Sequence, residues 1–259
     1  VGDFALLALT GLVVGAIVGL TGVGGGSIMT PLLITVFGVP APVAVGTDLA
    51  CAAVTKTAGT VAHRAARNVI PGIVVLLALG SVPAAIATLT ILATAHLAPH
   101  ELDRLVRESV GIALLLSIAV LLLREPLRRW AARSAGVRRA RRYRPAMTLV
   151  VGAAIGFAVA LTSLGAGAIG AAFLALLYPE LEPAEIAGSD IAHAVPLTAV
   201  AAAGHAWLGT IDWTLLVALL AGGIPGIVLG SLGSRRIPAR ALRFALVATL
   251  TLAGVKLLA

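Results

Sequence analysis

One cysteine, two methionines and ten aromatic residues are all that a chain of 259 residues contains of these types. The lone Cys51 excludes an intrachain disulfide and a thiolate metal cluster, and its place inside an apolar run reads as a small packing residue. Aromatics at 4% leave no stacking platform for bases or pigments. Charge is scarce too: Asp, Glu, Lys and Arg make up 12%, about half the ~25% usual in a soluble domain. The Gly22-Val23-Gly24-Gly25-Gly26 run has neither the Lys-Ser/Thr ending nor the preceding strand of a nucleotide phosphate loop. Neither Ser27 nor Ser163 stands in a Gly-x-Ser-x-Gly context, the histidines are scattered, and no Cys/His pair has metal-ligand spacing. An enzyme, a metal centre and a cofactor are therefore not expected. Only Asp3, and no basic residue, precedes the first apolar run, so no secretory signal peptide is expected.

Apolar residues are abundant, at 59% with a mean hydropathy of +1.06. They gather in ten stretches: residues 4–20, 28–37, 43–62, 70–93, 105–123, 146–161, 168–178, 186–208, 213–232 and 242–258. Runs near 20 residues match the ~30 Å hydrocarbon thickness of a bilayer. The chain reads as an all-α, multi-pass membrane protein. Tyr143, Trp130, Tyr178, Trp207 and Trp213 fall at segment ends, where an aromatic belt belongs.

The net charge of +8 is local. Nine of the nineteen basic residues are arginines between Arg124 and Arg144, in a stretch joining two apolar blocks. Basic residues so placed set topology and meet anionic lipid headgroups, so the expected partner is the bilayer and not nucleic acid.

The sequence is also written twice. Ala44-Val45-Gly46-Thr47-Asp48-Leu49-Ala50 recurs as Ile186-Ala187-Gly188-Ser189-Asp190-Ile191-Ala192, an offset of 142. At that offset His63 falls on His205 and Pro83 on Pro225, while Thr21–Gly26 is echoed by Thr162–Gly167 at 141. The expected organisation is an N-terminal transmembrane repeat (1–123), an Arg-rich cytoplasmic linker (124–145) and a C-terminal transmembrane repeat (146–259).

Residues 4–37 as one helix would reach ~51 Å, too long for one crossing, and the glycine run breaks helices. The segment is expected to enter, break and return. Each repeat then has a broken-helix hairpin plus three transmembrane helices, an odd number of crossings, so the repeats are expected to be inverted. With the linker inside, inversion also brings Arg64, Arg67, Arg235, Arg236, Arg240 and Arg243 inside, fifteen of nineteen basic residues in all. The N-terminus is expected outside.

Inverted repeats with broken helices place a binding site near the midplane, between the halves. Backbone leaves regular helix there only where protein or a water-filled cavity satisfies it. The breaks at 22–27 and 163–167 thus predict a polar cavity. The half-helices after them offer free N–H groups and a positive dipole end, suited to an anion. Gly24, Gly25, Gly26, Ser27, Ser163, Gly165 and Gly167 are the candidate anion contacts, with close helix packing the competing role of the glycines.

Asp48, Ala52, Lys56, Gly59 and His63 share one helix face, matched by Asp190, Ala194, Thr198, Ala201 and His205, with His193 one turn from Asp190. Charge within a bilayer costs roughly 2.5–3.5 kcal/mol per residue on insertion scales, so these are functional candidates. Lys56 and Thr198 join the anion contacts; for Lys56 a structural pair with an aspartate and snorkelling stay open. Asp48, Asp190, His193, His63 and His205 are proton-coupling candidates. First-turn helix capping stays open for the two aspartates, and an interfacial place for His63 and His205. His96 and His100 read as surface-loop residues.

Gly19-Leu20-Thr21-Gly22-Val23-Gly24-Gly25-Gly26, Pro31-Leu32-Leu33, Ala44-Val45-Gly46-Thr47 and their weaker second copy resemble the TauE/SafE sulfite exporter family, also called the 4-toluene sulfonate uptake permease family. The resemblance covers essentially the whole chain. The second copy departs from it, with Gly165-Ala166-Gly167 in place of the triple glycine. It implies a transporter of the bacterial inner membrane for a small sulfur-containing anion: sulfite, thiosulfate or an organosulfonate. Alternating access with proton coupling is expected, with export the expected direction. A channel-like anion pore and an intramembrane enzyme are the alternatives.

Overall fold

Every regular element of the computed structural model is helical among the residues it describes, 3–21, 26–65, 67–133, 140–165, 167–233, 251 and 253–257. In chain order these are α1 (Phe4–Thr21), α2 (Gly26–Thr35), α3 (Ala41–Ala65), α4 (Pro71–Thr94) and α5 (Pro99–Arg133). A 3-10 turn (Ala140–Tyr143) precedes α6 (Arg144–Thr162), α7 (Ala168–Leu177), α8 (Pro183–Trp207) and α9 (Trp213–Gly233). Five helices are long and apolar enough to cross a membrane: α4, the Pro99–Leu123 part of α5, α6, α8 and the Trp213–Gly230 part of α9. The protein is an all-helical, multi-pass membrane protein.

Local chemistry sets the helix starts. Proline opens α4, α5 and α8, where its missing N–H is harmless and its fixed φ suits a first turn. Glu182 and Glu185 form a capping box at α8, and Asp103 accepts the Ala41 N–H (2.6 Å) at the head of α3. Both capped starts lie seven residues ahead of an aspartate, so Asp48 and Asp190 sit in the helix body, not in the first turn. The capping role left open for them is thereby removed. α5 runs on through Arg124 to Arg133, into the arginine stretch. Arg, Leu and Ala are good helix formers, and the helix continues past Pro126 within that stretch.

Helices of one repeat pack on those of the other. α3 and α8 cross antiparallel. A methyl on Gly46 would run into the Thr210 carbonyl beyond the end of α8, and one on Gly188 into the Asn68 carbonyl beyond the end of α3. Beside these contacts the Asp212 N–H donates to Thr47 Oγ1 (3.1 Å) and the Ile70 N–H to Ser189 Oγ (3.0 Å). Each bond is the other shifted by 142 residues. Likewise Gly11 and Gly15 of α1 abut Leu219 and Gly223 of α9, as Gly152 and Gly156 of α6 abut Leu77 and Ser81 of α4. Small residues let these backbones approach where lipid offers no hydrophobic drive for association.

The broken segment of the second half folds back on itself. Arg144, at the start of α6, makes a two-pronged pair with Glu180 beyond α7, with Nη2 to Oε2 at 3.1 Å. Its guanidinium lies 5.2 Å from the Tyr178 ring centroid, and the Tyr178 hydroxyl shares a 2.8 Å bond with Thr148. The start of α6 and the end of α7 therefore share one end of the bundle. At ten residues each, α2 and α7 reach ~15 Å, half a hydrocarbon core. The main apolar core runs between the repeats, from Leu33 and Leu49 to Leu197 and Leu219, all inaccessible to solvent.

Candidate functional site

The second break is a sharp one. α6 stops at Thr162, and Ser163 takes a left-handed conformation (φ 60°), followed by Gly165 at φ 122° and Gly167 at φ 131°. Glycine tolerates such angles; serine is strained there and needs a compensating contact. Ser163 has one: its hydroxyl donates to Asp48 Oδ2 (2.7 Å) across the repeat boundary. Thr30, on α2, donates to the same oxygen (2.8 Å). Asp48 is buried, so these two charge-assisted bonds replace water at its carboxylate. Three elements meet at one oxygen: the half-helix α2, the crossing helix α3 and the break before α7.

Asp190 occupies the matching place on α8, also buried, and its Oδ1 lies against Gly170 of α7, where any Cβ would collide with it. The hydroxyls have no counterparts by sequence: Ala171 stands at the position of Thr30 and Gly22 at that of Ser163. Lys56 is half-buried on α3, within electrostatic reach of Asp190 and, more weakly, of Asp48. His193 is wholly buried, within reach of Lys56, and its Nε2 shares a 2.8 Å bond with Ser81 Oγ of α4. Thr198, at the position matching Lys56, is buried with its hydroxyl donating to the Ala194 carbonyl (2.8 Å). The arrangement puts one cation within electrostatic reach of two acids.

Other candidates lie apart from it. His205 is bonded through both ring nitrogens, to Thr210 Oγ1 (2.8 Å) and to the Ala160 carbonyl (2.9 Å), at the far end of α8. His63 sits near the end of α3, its buried Nδ1 without a partner among the described residues. Gly26 and Ser27 are the first two residues of α2; Gly24 and Gly25 lie outside the described residues. His96 is exposed beyond α4, while His100 is exposed within the first turn of α5 rather than in a loop. Among the described residues no group of His, Cys, Asp and Glu is gathered that could hold a metal ion. Sequence reading passed over Thr30, Ser81 and Gly170. Thr30 lies on the half-helix that was expected to face the cavity, which was its one available signal.

With this geometry in hand, comparison with known proteins is informative. Residues 7–257 match the family model described as sulfite exporter TauE/SafE. The chain is 38% identical, over 97% of its own length and 98% of the relative's, to the probable membrane transporter protein YjnA of Bacillus subtilis (strain 168). No solved structure matches it.

Proposed function

The chain belongs to the sulfite exporter TauE/SafE family of membrane transporters, and from that premise we propose that it moves sulfite or a related small sulfur oxyanion or organosulfonate across the cell's inner membrane by alternating access, coupled to protons. The observation that carries the reading is the junction of Asp48, Ser163 and Thr30, with Lys56 beside both aspartates. A side chain of one repeat is fixed by the break in the other, so rocking one repeat against its mate must remake these bonds. Such a junction suits a carrier that passes a charged solute between two closed ends.

The repeats are read as inverted. The antiparallel crossing of α3 and α8, and the exchange of α1–α9 for α4–α6 contacts, favour a two-fold axis in the membrane plane. Arginine placement then puts the N-terminus outside and the linker in the cytoplasm. Lys56 is assigned to the anion, with the N-terminal ends of α2 and α7 adding dipole attraction. Asp48 and Asp190 are the sites that trade protons as the anion enters and leaves.

Uptake by purified protein in liposomes tests this. A panel of sulfite, sulfate, thiosulfate and sulfonates is offered with and without a pH gradient. Saturable flux of a sulfur anion, driven against its own gradient by protons, is expected. Flux that only follows the anion's own electrochemical gradient would replace the carrier with a pore. Catalytic turnover in detergent would instead point to an enzyme.

A further inference from the structure

His193 and Ser81 form a buried pair that the coupling scheme leaves unexplained. Both side chains are fully removed from solvent, and they come from α8 and α4, helices of different repeats. Ser81 has one side-chain partner, His193 Nε2 at 2.8 Å. Thr88 and Thr90 on the same helix donate back to carbonyls one turn earlier, whereas Ser81 makes no such bond among the described residues. Its hydroxyl hydrogen is thus free for the ring.

The two neutral tautomers differ in what they leave unsatisfied. With the ring proton on Nε2, the Ser81 hydroxyl hydrogen and the Nδ1 lone pair would both be buried without partners. With the proton on Nδ1, Ser81 donates to Nε2, and one group remains, the Nδ1–H. Buried polar groups are almost always paired, so the arrangement leaving fewest orphans is favoured. Nδ1 is buried and has no partner among the described residues. An N–H donor held dry within electrostatic reach of Lys56, with no acceptor among the described residues, is a half-made hydrogen bond awaiting an anionic oxygen.

We infer that His193 donates its Nδ1–H to the transported oxyanion, and that Ser81 is the positioning residue holding the ring in the tautomer that permits this. The inference rests on the anion-transport reading above and adds one residue to it: His193, a proton-coupling candidate by sequence, is a substrate ligand and not a proton carrier. The repeat-equivalent positions carry Cys51 and Gly223, so the pair exists once per chain.

Two measurements test it separately. Nitrogen-15 spectra of histidine-labelled protein, with the His193 signal identified by its loss in His193→Gln, read which ring nitrogen holds the proton. Nδ1–H in the wild type, shifting toward Nε2–H in Ser81→Ala, is expected; Nε2–H or a doubly protonated ring in the wild type overturns the inference. In liposomes, with ³⁵S-sulfite and ³⁵S-thiosulfate as probes, His193→Leu should raise KM about tenfold to a hundredfold. His193→Gln, which keeps a donor and cannot titrate, should lose less than tenfold and retain full dependence on the pH gradient. Loss of that dependence with transport intact would make His193 the proton carrier and overturn the inference. Should the wild type move neither probe, the transport reading fails, and the spectra alone decide the tautomer.

Discussion

Ser163 donates a 2.7 Å hydrogen bond to Asp48, and so ties the broken helix of one repeat to the crossing helix of the other. The bond holds a serine in a left-handed conformation it would otherwise avoid (φ 60°). Both ends are buried, so water cannot replace either partner.

Two substitutions separate the bond from the backbone strain. Ser163→Ala loses a charge-assisted bond, about 1.5–3 kcal/mol, and keeps the strained φ. Ser163→Gly loses the same bond but relaxes the backbone, so it should be about 1 kcal/mol more stable than the alanine variant. Thermal unfolding in detergent measures both. Equal stability of the two variants would show that the left-handed turn costs nothing.

The glycine contacts between repeats give a paired prediction. A methyl on Gly222 meets the Ala8 carbonyl, and one on Gly80 meets the Leu149 carbonyl, positions related by the repeat. Gly80→Ala and Gly222→Ala should each destabilise by about 1–3 kcal/mol, as overpacked cores do, and by similar amounts. Gly72→Ala, with open space around it, should be neutral or slightly stabilising. A large effect at only one of the paired sites would break the equivalence of the two interfaces.

How much of this was legible beforehand depends on sequence separation. The duplication is exposed by self-similarity at a constant offset, and the two breaks and the face carrying Asp48, Lys56 and His63 are patterns within a segment. The partners of those residues are not local: Ser163 lies 115 residues from Asp48, and Ser81 lies 112 from His193. No helical period connects such pairs. The aspartates looked like first-turn caps because the apolar run was taken to begin at 43, whereas Pro40, Asp103 and the Glu182–Glu185 box start the helices earlier. Arg144 reads as one more linker charge, yet it is buried and closes the α6–α7 hairpin through Glu180, a partner visible only once the segment has folded back.

Sidedness follows from the same contacts. His96 and Gly209 lie at the end of the bundle where α3 begins, and Arg67 and Glu182 at the end where α8 begins; all four are exposed. Single cysteines at these positions, in a background with Cys51 replaced, should label from outside at 96 and 209 and from inside at 67 and 182. Arg67 and Gly209 are equivalent positions of the two halves, so labelling of 67 and 209 from one side would refute the inverted arrangement.

Lys56 is the cation that both aspartates share, and its replacement distinguishes binding from scaffolding. If the ammonium holds the anion, Lys56→Met should weaken binding by about 1.5–3 kcal/mol, roughly tenfold to a hundredfold, while Lys56→Arg keeps part of the affinity. A purely structural pair behaves otherwise. Removing the lysine alone would leave buried carboxylates uncompensated and lower stability, and Lys56→Met with Asp190→Asn would restore it. Asp190 is the partner to remove first, because its electrostatic coupling to Lys56 is the stronger of the two. Calorimetric binding of sulfite, measured beside thermal unfolding, reads both quantities on one preparation. Reduced affinity in Lys56→Met that Asp190→Asn does not rescue is the expected result. Unchanged affinity together with a rescued double mutant would return Lys56 to the scaffold.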